Sequence, residues 1–105
     1  MAIVDRSDEC FKRFQKDFKK GLFSEGDGAV IKAWIREMEQ FGPEYIVSNP
    51  HWRDHDLERE WAGYRASCFS LEGRIIYKIT DDNNIEICLI ERITPNHDYT
   101  RKDNL

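Results

Sequence analysis

Two hydrophobic periods divide this chain, and the switch between them falls near Gly63. Before it, apolar residues recur every three or four positions. Phe11, Phe14, Phe18 and Leu22 trace one helical face, and Lys12, Arg13, Lys16, Lys19 and Lys20 occupy the others. Ser7 is placed to cap that helix, with Asp8 and Glu9 at its positive end. Gly21 ends it. Val30, Ile31, Trp34, Ile35, Met38 and Phe41 form the stripe of a second helix, capped by Ser24 or Asp27 and stopped at Gly42-Pro43. Two helices joined by so few residues predict an antiparallel hairpin. After Gly63 the period is two. Tyr64 to Ser70, Arg74 to Thr80 and Ile85 to Ile93 are rich in β-branched and aromatic residues. Leu71-Glu72-Gly73 and Asp81-Asp82-Asn83-Asn84 supply the turns, the second from residues that tolerate left-handed backbone. Ala2 to Val4 adds a short N-terminal strand. The expectation is an α+β fold: strand, helix hairpin, then a three-stranded antiparallel meander in one sheet, helices on one face. Tyr45 to Trp61 is open, a structured loop or a short third helix begun by Asn49-Pro50.

A chain of 105 residues makes one domain, spanning 1–105. No apolar run approaches the roughly 20 residues of a membrane span. MAIVDRSDE lacks the basic and apolar regions of a signal peptide, so a cytoplasmic protein with no membrane partner is expected. The three cysteines are far apart and each sits in an apolar segment, which predicts buried thiols. A formal net charge of −4 argues against nucleic-acid binding through overall charge and leaves room for a local basic patch.

Some residues are not explained by packing. Arg74 opens one strand, and His97 and Tyr99 follow another. Antiparallel pairing sets the start of strand 74–80 beside the end of strand 85–93, so these residues gather at one sheet end. Arg74 could equally pair with Glu72 or Glu86, and Tyr99 could pack the chain end. His51 and His55 would share a helical face as zinc ligands do, but no further motif completes a site, and no metal or cofactor is expected. Arg65 and Arg92 are phosphate ligands or salt-bridge partners. Lys16 and Lys19 belong to a solvated face or a nucleic-acid contact. Trp52 and Trp61 read first as packing anchors.

Three segments, DHDLEREWAGYR (Asp54 to Arg65), GRIIYKI (Gly73 to Ile79) and HDY (His97 to Tyr99), together resemble the RelE/ParE superfamily of toxins, and within it the YafQ- and YoeB-like mRNA interferases. That resemblance implies the toxin of a type II toxin–antitoxin module. It implies a metal-independent endoribonuclease that cuts mRNA, mostly at the ribosome, by attack of a ribose 2′-OH on the adjacent phosphate. It also implies a cognate antitoxin as partner. His97 and His55 fall where such proteins carry catalytic histidines, and Arg74 where a phosphate-binding arginine precedes the strand's I/V-Y. Tyr99 falls near a terminal aromatic. Arg65, Arg92, Lys16 and Lys19 would bind RNA phosphates. The chain departs from the YafQ-like pattern at Cys68, where a histidine is usual, and at Glu72-Gly73, where the acid lacks its aromatic. Two alternatives remain open on the same fold: a ParE-like gyrase inhibitor and a non-toxic interaction module.

Overall fold

A computed structural model of the chain describes residues 2–96, so the expectations for His97 and Tyr99 lie outside the described residues. The elements run β1 (Ile3–Arg6), α1 (Asp8–Lys19), α2 (Glu25–Phe41), α3 (Pro43–Ser48), β2 (His55–Asp56), a single 3-10 turn (Arg59–Trp61), β3 (Arg65–Cys68), β4 (Arg74–Asp82) and β5 (Ile85–Thr94). The strands form one sheet in the order β1-β5-β4-β3-β2. β1 runs parallel to β5, and the other pairings are antiparallel.

The helix starts follow from their caps. Ser7 Oγ accepts the Cys10 amide at 3.1 Å. Ser24 and Asp27 do not compete for a cap but share it: each side chain accepts the other's backbone N–H, at 3.0 and 2.9 Å. The β4–β5 turn is Asn83-Asn84, with φ of 52° and 68°. Both residues adopt the left-handed backbone that a two-residue hairpin turn requires.

Three expectations change. The short helix comes before Asn49-Pro50, with Pro43 in its first turn and Asn49 as its C-cap. Gly42-Pro43 therefore stops one helix and starts the next. A further strand, β2, pairs with β3 at the sheet edge. The helix hairpin is also splayed. α1 buries Cys10 and half-buries Phe14, while Phe11, Phe18 and Leu22 stay exposed. Between α1 and α2 lies an apolar groove of about 770 Å³, lined by Phe11, Phe14, Phe18, Ile31 and Ile35 and rimmed by Arg6, Lys32 and Arg36.

Each sheet face has its own core. On the helix face Trp34, Met38, Ile31 and Ile46 pack on Ile75, Tyr77, Cys88, Ile90 and Ile93. The Trp34 ring meets Tyr77 edge-on at 5.2 Å. On the other face Trp61, Tyr64 and Leu57 cover Ala66 and Ile76. β5 serves the helix face with both even and odd positions, Cys88, Ile90 and Ile93. It can do so because the register shifts by one residue at Glu91, opposite Ile76/Tyr77. The extra residue reverses the alternation.

Candidate functional site

Pairing register places the candidate residues on faces. His55 lies opposite Ala66, Ala66 opposite Ile76, and Ile76 opposite Arg92. In the next row Cys68 lies opposite Arg74 and Arg74 opposite Thr94. Directly opposed residues of antiparallel strands project to the same side. His55, Arg74 and Arg92 therefore share the sheet face away from α2, with Lys78 further along β4.

That face combines cations with aromatic rings. The Arg92 guanidinium sits 5.3 Å from the Trp61 ring centroid, and the Lys78 ammonium 5.4 Å from that of Tyr64. Trp61 stands edge-on to Tyr64 at 5.1 Å. The Tyr64 hydroxyl donates to Glu91 Oε1 at 3.3 Å. Arg92 is only 5% exposed. Burial, and next the nearby Arg13 guanidinium, push its pKa below the ordinary arginine value. Lys78, Trp61, Tyr64 and Arg13 were not singled out as site residues by sequence. The period-two pattern of β4 would have found Lys78, two positions from Ile76.

Arg74 is half-buried, and its Nη1 donates to the Gly73 and Leu71 carbonyls at 3.0 and 3.2 Å. Among the described residues no carboxylate pairs with it. Its position depends on a tight turn. The Phe69 amide donates to Gly73 O at 3.1 Å, and the Gly73 amide to Ser70 Oγ at 2.8 Å.

His55 is exposed on β2, and its Nδ1 lies 3.1 Å from the Arg53 carbonyl. A carbonyl can only accept, so a hydrogen bond here requires the Nδ1–H tautomer, which leaves Nε2 for a substrate. His51 sits in the turn before β2, exposed, so the helical pairing considered for a metal does not exist.

Arg65 projects to the helix face, opposite Tyr77. Its Nε donates to Asp54 Oδ1 at 2.6 Å, and its Nη1 is ion-paired with Asp56. Burial acts against its charge, yet the hydrogen bond and charge of Asp54, with Tyr77 and Asp56 adding, hold its pKa above the ordinary value. Lys16 and Lys19 lie exposed near the end of α1, and no described contact brings them to the cationic face. Two of the thiols, Cys10 and Cys88, are held protonated by burial. Burial pushes Cys10 up to about 11, with Glu91 adding, and pushes Cys88 up to about 12, with Asp54 adding.

No known family model matches the chain, and neither does any curated protein sequence. Solved structures do. YafQ from E. coli superposes with a TM-score of 0.67 at 20% identity, over 89% of this chain and 91% of that one. A chain of the E. coli DinJ–YafQ complex gives a TM-score of 0.69 at 20% identity, over 95% and 98%. A chain of the YoeB–YefM complex from Staphylococcus aureus gives 0.60 at 14% identity, over 90% and 95%. The chain shares its fold with these YafQ and YoeB structures. The likeness spans most of this chain and of each of those chains.

Proposed function

We propose that the chain is the toxin of a type II toxin–antitoxin pair and that it cuts RNA on the cationic sheet face. The carrying observation is the register that sets His55, Arg74 and Arg92 on one face of a RelE-like sheet. A 2′-OH attack needs a base for the hydroxyl proton, positive charge for the phosphorane-like transition state, and an acid for the leaving 5′-oxygen. His55 Nε2 takes the 2′-OH proton. The 2′-oxygen bonds to phosphorus as the P–O5′ bond breaks, leaving a 2′,3′-cyclic phosphate. Arg74 and Arg92 stabilise the added charge. Arg92 does so from a poorly hydrated position, where a fixed charge acts most strongly. In this reading His97 returns a proton to the 5′-oxygen, and Tyr99 stacks on a base.

Lys16 and Lys19 would add phosphate contacts at the rim, along mRNA held in the ribosome. Arg65, held by two carboxylates, serves as a brace and not as an RNA ligand. The splayed groove between α1 and α2 supports the antitoxin partner: an exposed apolar surface of this size on a small chain calls for a cover.

The test is induced expression with mapping of RNA ends. Growth arrest with new cuts, lost in His55→Ala and Arg74→Ala, is the expected outcome. Wild-type and variant chains that all leave growth and RNA untouched would refute it. Toxicity that survives both substitutions and comes with DNA damage would move the chain to a gyrase-inhibitor role.

A further inference from the structure

Asp54 is a fully buried carboxylate next to the exposed His55, and the cutting mechanism gives it no direct part. Its side chain has no solvent exposure. It is the hub of three bonds: Arg65 Nε donates to Oδ1 at 2.6 Å, Ser67 Oγ to Oδ2 at 2.6 Å, and the Tyr77 hydroxyl to Oδ2 at 2.5 Å. A buried carboxylate persists only when so many of its acceptor positions are filled. These donors come from β3 and β4, so Asp54 ties the chain before β2 to two central strands.

The tie matters because β2 is weak. It has two residues and pairs with β3 only, at the sheet edge. In a strand, neighbouring side chains point to opposite faces. Asp54 and Asp56 both reach Arg65 on the helix face, so His55 between them must face the other way, toward the Arg92 row. A one-residue slip of β2 would send His55 inward. Arg53 is held as well. Its φ is 46°, its side chain donates to Ser70 O at 3.4 Å, and its carbonyl meets both His55 Nδ1 and Cys68 Sγ. That carbonyl sets the histidine tautomer, and the residue between the two is Asp54.

We propose that Asp54 is the positioning residue of the site: its three-point anchor in the sheet fixes the edge strand so that His55 faces the Arg74–Arg92 side with Nδ1 protonated and Nε2 outward. This rests on the role given to His55 above, and the experiment separates the two. Nitrogen-15 NMR of the His55 ring near pH 8, where a histidine is mostly neutral, reports the tautomer without any RNA. The wild-type chain should show the Nδ1–H form. Asp54→Asn, of nearly the same size, should show a mixture, and so should Ser67→Ala and Tyr77→Phe to lesser degrees. RNA cutting in Asp54→Asn should fall about a hundredfold in kcat, the scale of an ångström-sized misplacement, with KM little changed. The same substitution in a His55→Ala background should cost nothing further. A folded Asp54→Asn chain that keeps the pure Nδ1–H tautomer overturns the proposal, as does an equal loss of cutting with and without His55. Should Asp54→Asn fail to fold, Ser67→Ala and Tyr77→Phe decide the question by the same readings. Should His55→Ala cut normally, the catalytic role of His55 falls, and the tautomer alone judges Asp54.

Discussion

Gly73 has no room for a single methyl group, and Arg74 depends on it. A Cβ at this position would lie 2.3 Å from Phe69 Cζ, 2.6 Å from Phe69 Cε1 and 2.6 Å from Ser70 Oγ. Carbon atoms rest about 3.5–4.0 Å apart, so the ring would have to retreat by about 1 Å or more. It has little space for that. Phe69 is 5% exposed and packs at 6.0 Å on Phe23, whose ring lies 4.9 Å from Phe14. Ser70 cannot swing aside without giving up the Gly73 amide. Gly73 lacks the positive φ of Gly21, Gly42 and Gly63, so the demand is for space and not for an unusual backbone. Overpacking of this kind costs about 1–3 kcal/mol. Taking about 2 kcal/mol, and a shift of about 4–8 °C per kcal/mol for a domain this size, Gly73→Ala should lower Tm by about 8–16 °C. A thermal melt followed by circular dichroism reads this directly. Phe69→Leu should be costly alone but should blunt the added cost of Gly73→Ala, since the two clash with each other. A Gly73→Ala chain that melts within about 2 °C of wild type would refute the reasoning, because the quoted penalty would then be absent.

Tyr77→Phe removes one donor from the buried Asp54 and should destabilise by about 1.5–3 kcal/mol, the range for a hydrogen bond to a charged group, read as a shift in the urea midpoint at constant m-value. Little or no shift would mean that Asp54 is satisfied without it. Alkaline stability should also decline early. Cys10 and Cys88 have an ordinary thiol value of 9.0 that rises to about 11 and about 12 in the fold. Above pH 9 the unfolded thiols lose protons that the folded ones keep, so the unfolded state binds fewer protons and stability falls as pH rises. Urea midpoints taken from neutral to alkaline pH should fall beyond 9 and fall less steeply in Cys88→Ala. A slope unchanged by that substitution would contradict the assignment.

Much of the scaffold was legible because it follows local rules. Caps at Ser7 and Ser24, the asparagine turn and the β-branched runs each act within a few residues. What escaped depends on partners distant in sequence. Phe11 and Phe18 keep perfect helical spacing yet line a groove, because periodicity marks a face without saying what covers it. The bulge at Glu91 leaves no trace in an alternating pattern, yet it turns Arg92 away from α2. Gly42-Pro43 reads equally as an end and as a beginning. Asp54 was invisible as a buried group, since nothing in DHD says which carboxylate meets Ser67 and Tyr77. Arg65 shows the converse. The sequence leaves Arg65 as a phosphate ligand or a salt-bridge partner, and the acids that engage it, Asp54 and Asp56, lie in the same short motif.

The net charge of −4 first spoke against an RNA-binding face, and the fold removes much of that objection. Many of the acids work elsewhere. Asp8 and Glu9 sit in the first turn of α1, and Glu25 and Asp27 in that of α2, where they meet unsatisfied amides. Asp54 and Asp56 face the helices and are engaged by Arg65. Asp81 and Asp82 lie at the far end of β4. Asp82 is eight residues from Arg74, about 26 Å at ~3.3 Å per residue. Charges that far apart in solvent are separated by more than two Debye lengths of about 8–10 Å, so they hardly act on each other. Net charge sums all of these groups with equal weight, whereas a phosphate bound as proposed would lie nearer to Arg74 and Arg92 than to the acids at the far end of β4. Strand register, more than composition, therefore decides whether this acidic chain can hold an anion.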